Sequence, residues 1–152
     1  MPKQTSLDEA SRAAREFGDA AEAVRLAAAA HLGVNRSDLR ILAALHVDGP
    51  ASAGAMAAAA ELSPAATTEA VQRLAARGLV RRDTDPADRR RAVIGIEPAA
   101  ARQLDTLFGP VRTGGRRIGQ TFTDAELAVV VRFLDLGRDL QLAAAERIRA
   151  GG

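Results

Sequence analysis

The sequence predicts a mainly α-helical chain with one small β-hairpin. Three observations predict it. Hydrophobic residues make up 47% of the chain but aromatics only 3%, and much of the apolar share is alanine, a strong helix former with little area to bury. Helix start and stop residues recur along most of the length. Between residues 79 and 96 alone the helical spacing gives way to two short β-branched runs around a charged, turn-rich segment.

The elements follow in order. Ser6-Leu7-Asp8-Glu9 reads as a capping box opening a first helix. Leu7, Ala10, Ala14, Phe17, Ala21, Val24, Ala28 and His31 then recur at three- and four-residue spacing, a seam for another helix, and Gly33 ends it. A second helix is expected from Asn35 or Ser37 to Asp48-Gly49-Pro50. A short third runs from Ser52 to Ala60. A fourth is capped by Ser63, opened by Pro64, where a missing N–H costs nothing, and closed at Arg77-Gly78. Residues 79–82 and 92–96 read as strands joined by a long basic tip. Pro98 opens a further helix that Gly109-Pro110 and Gly114-Gly115 are expected to interrupt. Thr123-Asp124-Ala125-Glu126 is a second capping box, opening a last helix with Leu127, Val130, Val131, Leu134, Leu140 and Ile148, and Gly151-Gly152 is expected to fray.

Composition narrows the function. There is no cysteine, which excludes disulfides, thiolate zinc sites and thiol nucleophiles. No apolar leader and no apolar stretch of spanning length is present, so a cytoplasmic chain without a membrane segment is expected. The two histidines, His31 and His46, stand fifteen residues apart, without the spacing of a hydrolytic or metal motif. No catalytic residue, metal or cofactor is therefore expected. With no Trp or Tyr, a stacking platform for single-stranded nucleic acid is not expected either. Net charge is only +2, yet residues 71–91 hold seven arginines against three aspartates.

That basic excess falls on a recognisable arrangement. A short helix, a tight turn at Glu61-Leu62-Ser63, a capped helix and a hairpin make a winged helix-turn-helix, whose second helix enters the major groove of duplex DNA. Val71 and Leu74, with Ala66 and Ala70, read as the inner stripe of that helix. Ser63, Pro64, Ala65, Thr67, Thr68, Gln72 and Arg73 are then the candidate DNA contacts. Thr and Gln suit bases or phosphates, Arg73 a phosphate, and the free amides at residues 65 and 66 a further phosphate. At the hairpin tip Asp88, Arg89, Arg90 and Arg91 complete the candidate interface, arginine being favoured in a narrow minor groove.

The stretch LSPAATTEAVQRLAARGLVRRDTDPADRRRAVIGIEP resembles the recognition helix and wing of the MarR family of bacterial regulators. The family's R-L-x-x-x-G-L-V-x-R is matched by Arg73, Leu74, Gly78, Leu79, Val80 and Arg82, its wing motif D-x-R by Asp88-Arg89-Arg90, and NRSDLRIL at residues 35–42 is similar to the preceding helix in one branch. The likeness covers Val34 to Pro98. It implies a homodimer on a palindromic operator, most simply a repressor, often released by a small ligand. Departures stand at Ala60, at Glu61, where the turn usually has glycine, at Glu69 on the recognition helix, and at Glu97. An acid at 69 repels phosphate unless it pairs with Arg73, accepts from a cytosine, or points aside.

The expected organisation is a helical dimerisation region formed by residues 1–33 and 98–150, carrying a winged domain at 34–97. For a small anionic effector the candidate residues are His31, Arg40 and His46, expected where the two regions meet. The competing function is a winged helix used as a protein-interaction module that has lost DNA binding, which Glu61 and Glu69 would favour.

Overall fold

A computed structural model describes residues 2–84, 88 and 92–151. Along these the elements are α1 (Pro2–Leu32), α2 (Arg36–Asp48), α3 (Ala53–Ala60), α4 (Pro64–Ala76), β1 (Val80–Thr84), β2 (Ala92–Ile96), α5 (Pro98–Gly119) and α6 (Asp124–Ala150). It is a mainly helical chain with a two-stranded antiparallel hairpin. None of the described helices is long and apolar enough to cross a membrane.

Local chemistry sets most boundaries. Asn35, Ser52, Ser63 and Thr123 each sit in extended backbone and accept, through the side chain, an N–H of the first turn of the helix that follows. At Thr123 the box is complete, because the Glu126 carboxylate also accepts the Thr123 N–H at 2.8 Å. These bonds hold the Glu126 carboxyl below the usual glutamate range, the backbone N–H contributing most and the Thr123 hydroxyl next. Gly33 and Gly78 end α1 and α4 in left-handed backbone. Gly33 has a second reason to lack a side chain: a Cβ there would stand 3.3 Å from Nη2 of Arg77.

Three boundary expectations are corrected. α1 begins at Pro2, so Ser6-Leu7-Asp8-Glu9 lies inside it and caps nothing. A proline in the first turn is itself a start signal, and it comes earlier. α5 runs unbroken through Gly109, Pro110, Gly114 and Gly115. Proline's fixed φ is already helical and glycine reaches helical φ freely. Each weakens the helix without dictating a break. The first strand also extends two residues beyond expectation, as Asp83 pairs with Val93 and Thr84 with Ala92.

Residues 1–107 form one compact unit and residues 108–152 a second. In the first, Ile41, Leu42 and Leu45 of α2 pack with Met56 of α3, Leu74 of α4 and Leu104 of α5, all nearly inaccessible. Ile94 of β2 joins them from the hairpin, and an antiparallel bridge from Ala51 ties the start of α3 to that strand. α1 contributes only Ala28, Ala29 and Leu32 near its end, whereas Leu7 and Phe17 of the expected seam stay exposed. In the second unit α6 buries none of its residues, and Val130, Phe133, Leu134 and Leu140 are all exposed.

Candidate nucleic-acid interface

α3, the turn at Glu61-Leu62-Ser63 and α4 form the helix-turn-helix, and β1 and β2 form the wing. The turn requires left-handed backbone, and Glu61 adopts it at φ 56°, ψ 44°. This is costly for a residue with a Cβ, which accounts for the family's glycine here. Leu62 N–H donates to Ala57 O at 2.9 Å, closing α3 despite the substitution. Outside the turn, Arg40 Nη2 donates to Glu61 Oε1 at 2.7 Å, so the glutamate is tied back to α2.

α4 opens on Ser63, whose Oγ accepts the Ala66 N–H at 3.2 Å, so that amide is not free for a phosphate as expected, with Pro64 at the first helical position. Its buried stripe is Thr67, Ala70, Val71 and Leu74. Thr67 therefore does not face outward as expected: it is 1% exposed, and its hydroxyl donates to Ser63 O at 2.9 Å. Ala66, expected inside, is only half-buried. Ser63, Pro64, Ala65, Thr68, Gln72 and Arg73 are exposed, as the sequence reading requires. Thr68 turns its hydroxyl proton to its own helix, donating to Pro64 O at 3.0 Å. The oxygen can still accept.

Arg73 is anchored rather than loose. Its Nη2 donates to Asp38 Oδ1 at 2.8 Å and its Nε lies 3.4 Å from Oδ2. Asp38 is 4% exposed and Arg73 about half exposed. The hydrogen bonds from Arg73 to Asp38, and then the charge of that carboxylate, hold the guanidinium protonated beyond its usual range. Four residues on, Arg77 reaches the other way and donates to the carbonyls of Leu32 and Gly33 at the end of α1. Neither Asp38 nor Arg77 was singled out as functional in the sequence. Their partners lie 35 and 44 residues away, and no spacing motif signals such pairs.

On the wing, Arg81 Nε donates to Asp83 Oδ2 at 2.8 Å and its Nη1 to Ile96 O at 2.9 Å, bracing the exposed face of the hairpin. Asp88 is exposed. Arg89, Arg90 and Arg91 lie outside the described residues.

The three expected ligand residues are engaged separately. Arg40 binds Glu61, and His46 Nε2 stands 3.1 Å from Asp105 Oδ1 of α5. His31 lines an open pocket of about 260 Å³ together with Ala99, Arg102, Gln103, Thr106 and Leu107. Of the three, His31 alone lines it. Arg102, Gln103 and Thr106 were not anticipated, because they share that pocket with His31 from about 70 residues away along the chain.

The profile of the MarR family matches residues 32–91. Over 135 residues the chain is 31% identical to an uncharacterized HTH-type transcriptional regulator, YcgE, of Bacillus subtilis (strain 168), an alignment covering 89% of this chain and 88% of the relative. Two solved structures share the fold. One is a MarR family protein from Bacillus stearothermophilus, at 18% identity and a TM-score of 0.65, covering 91% of this chain and 97% of the other. The second is a MarR family transcriptional regulator from Silicibacter pomeroyi, at 19% identity and a TM-score of 0.62, covering 84% and 83%. The relatives are regulators, not enzymes, and this chain belongs to the MarR family of winged helix-turn-helix transcriptional regulators.

Proposed function

We propose that the chain is a homodimeric regulator that binds palindromic duplex DNA through α4 and the wing, and represses by occluding a promoter. The observation that carries this reading is α4 itself. It is capped by Ser63, packed on one side only, and exposes Ala65, Thr68, Gln72 and Arg73 on the other. A helix presented in this way fits the major groove, with its N-terminal residues toward base edges. Arg73, held by Asp38, is pre-oriented for a phosphate, and an ordered guanidinium loses less entropy on contact than a free one. Arg89, Arg90 and Arg91 add the charge that favours any duplex.

Dimerisation is supported by α6, whose exposed valines, leucines and phenylalanine need a cover that a second copy supplies symmetrically. Such a protein acts in the cytoplasm, on the chromosome. For a small anionic effector, His31, Arg102 and Gln103 make a better site than the one expected from sequence, because they line one cavity, whereas the Thr106 hydroxyl beside them donates to Arg102 O.

The test is selection from randomised duplex DNA with the purified chain, followed by band-shift titration and light scattering. Enrichment of a two-fold symmetric sequence bound by a dimer is the expected result. A monomer at micromolar concentration, or no selected sequence at low salt, overturns the reading.

A further inference from the structure

The sequence leaves Glu69 with three roles: partner of Arg73, reader of a cytosine, or bystander. Two geometric facts discriminate among them. The first is occupancy. Arg73 turns its Nε and Nη2 to Asp38, and Glu69 acts on it through charge alone, as the weakest of the influences on that guanidinium, with no hydrogen bond or salt bridge among the described residues. The second is direction. At about 100° per residue, the line opposite the buried stripe Thr67, Ala70, Val71 and Leu74 passes closest to Ala65, Glu69, Gln72 and Ala76. Thr68 and Arg73 lie to its sides. Two of the four central residues are alanines, so only Glu69 and Gln72 are long enough to reach from the middle of the exposed face.

We propose that Glu69 is a specificity-determining residue that reads the exocyclic N4 amino group of a cytosine in each half-site. This rests on α4 being the recognition helix. A carboxylate only accepts hydrogen bonds. In the major groove guanine presents two acceptors, O6 and N7, and thymine presents O4 and a methyl group, so both leave the charge unpaired or repelled. Adenine offers its N6 amino group but sets the N7 acceptor beside it. Cytosine offers N4 with no acceptor adjacent, and is the base that satisfies the carboxylate best. Between phosphates an unsatisfied carboxylate is repelled, so Glu69 works chiefly by penalising the wrong base pair. Any DNA lacking the amino group at that position is bound less well than it would be with a neutral side chain there.

The experiment measures the full-length parent, Glu69→Ala, Glu69→Gln and Gln72→Ala against an operator panel carrying all four base pairs at each position. The expected parent prefers cytosine at one position per half-site by about 5- to 150-fold. In Glu69→Ala that preference collapses at this position alone, while affinity for unrelated duplex rises. In Glu69→Gln it moves toward adenine, which an amide contacts through N6 and N7 together. The proposal is overturned if Gln72→Ala changes the ranking but both Glu69 variants leave it intact; α4 then remains the reader and Glu69 is a bystander. It is equally overturned if the Glu69 variants lose affinity for cognate and unrelated duplex alike, the mark of a structural role. A parent that selects no duplex at all overturns this proposal together with the function proposed above.

Discussion

Thr67 offers a sharp check on how α4 is turned. Its hydroxyl donates to Ser63 O at 2.9 Å, and the same oxygen already accepts the Thr67 N–H at 2.9 Å. Thr67→Val removes the hydroxyl but leaves no orphaned acceptor. The lost bond is worth about 1 kcal/mol and the added methyl returns about 0.8 kcal/mol, so stability should change by less than roughly 1 kcal/mol. Thr67→Ala loses the bond and a buried methyl and leaves a small void, about 2 kcal/mol in all. For a chain of this length that is a fall in melting temperature of roughly 4–8 °C. Thermal unfolding reads the first quantity, and band-shift titration on a panel of operator variants reads the second. Neither variant should reorder the panel, because a residue 1% exposed does not reach a base. Reordering by Thr67→Val at unchanged stability would refute the orientation of α4 and every assignment built on it.

The wing arginines should govern affinity more than base choice. Arg90→Ala and Arg89→Ala should each lower the salt slope of binding by about one unit per lost phosphate contact, doubled in a dimer, and equal affinities at two salt concentrations would exclude them from the interface. Leu134 is 50% exposed on α6, and Leu134→Glu should yield a monomer by light scattering with operator binding lost. Inserting five base pairs between half-sites should abolish binding by the parent, because it turns one half-site to the opposite face of the duplex. The Thr123–Glu126 box predicts a pH dependence. A carboxyl held below its usual range stabilises the fold fully above the ordinary glutamate pKa, and that contribution fades as pH falls through the depressed value. Glu126→Gln should lower the neutral plateau and leave the acid end of an unfolding-versus-pH profile nearly unchanged, so that the acid limb flattens. A parallel displacement of the whole profile would show that the charge is not what the box uses.

Much of the fold was legible because helix ends are local. Asn35, Ser52, Ser63 and Thr123 each satisfy an N–H within three residues, and Gly33 and Gly78 each supply a backbone conformation that few other residues adopt. Where two local signals competed, the reading failed. Ser6 lost to the earlier Pro2, and Pro110 permitted a break that the helix did not take. Thr67 misled for a different reason. Its hydroxyl reads as polar, yet the helix's own backbone satisfies it, leaving a methyl-bearing side chain that suits the core. The site was less legible because its organising bonds are distant in sequence. Arg40 meets Glu61 across 21 residues, Arg73 meets Asp38 across 35, and His46 meets Asp105 across 59. Residue spacing carries no trace of such pairs. Glu69 was visible as a departure from the family, but its role turned on where Arg73 pointed.

The junction of Arg77 with the end of α1 has a mechanical consequence. α1 is 31 residues long, but its buried side chains are Ala28, Ala29 and Leu32, and from residue 4 to residue 20 every residue is exposed. Glu22, paired with Arg36 of α2, holds the helix one step further out, so at 1.5 Å per residue the exposed part is a lever of about 25 Å pivoting near one end. Beside the fulcrum sit the carbonyls of Leu32 and Gly33, gripped by the guanidinium of Arg77, the residue that caps the end of α4. A sideways push on the far end of α1 thus becomes a small, forceful displacement where it meets the recognition helix. The absent Cβ of Gly33 leaves the grip room to form, and any side chain there would crowd the pivot.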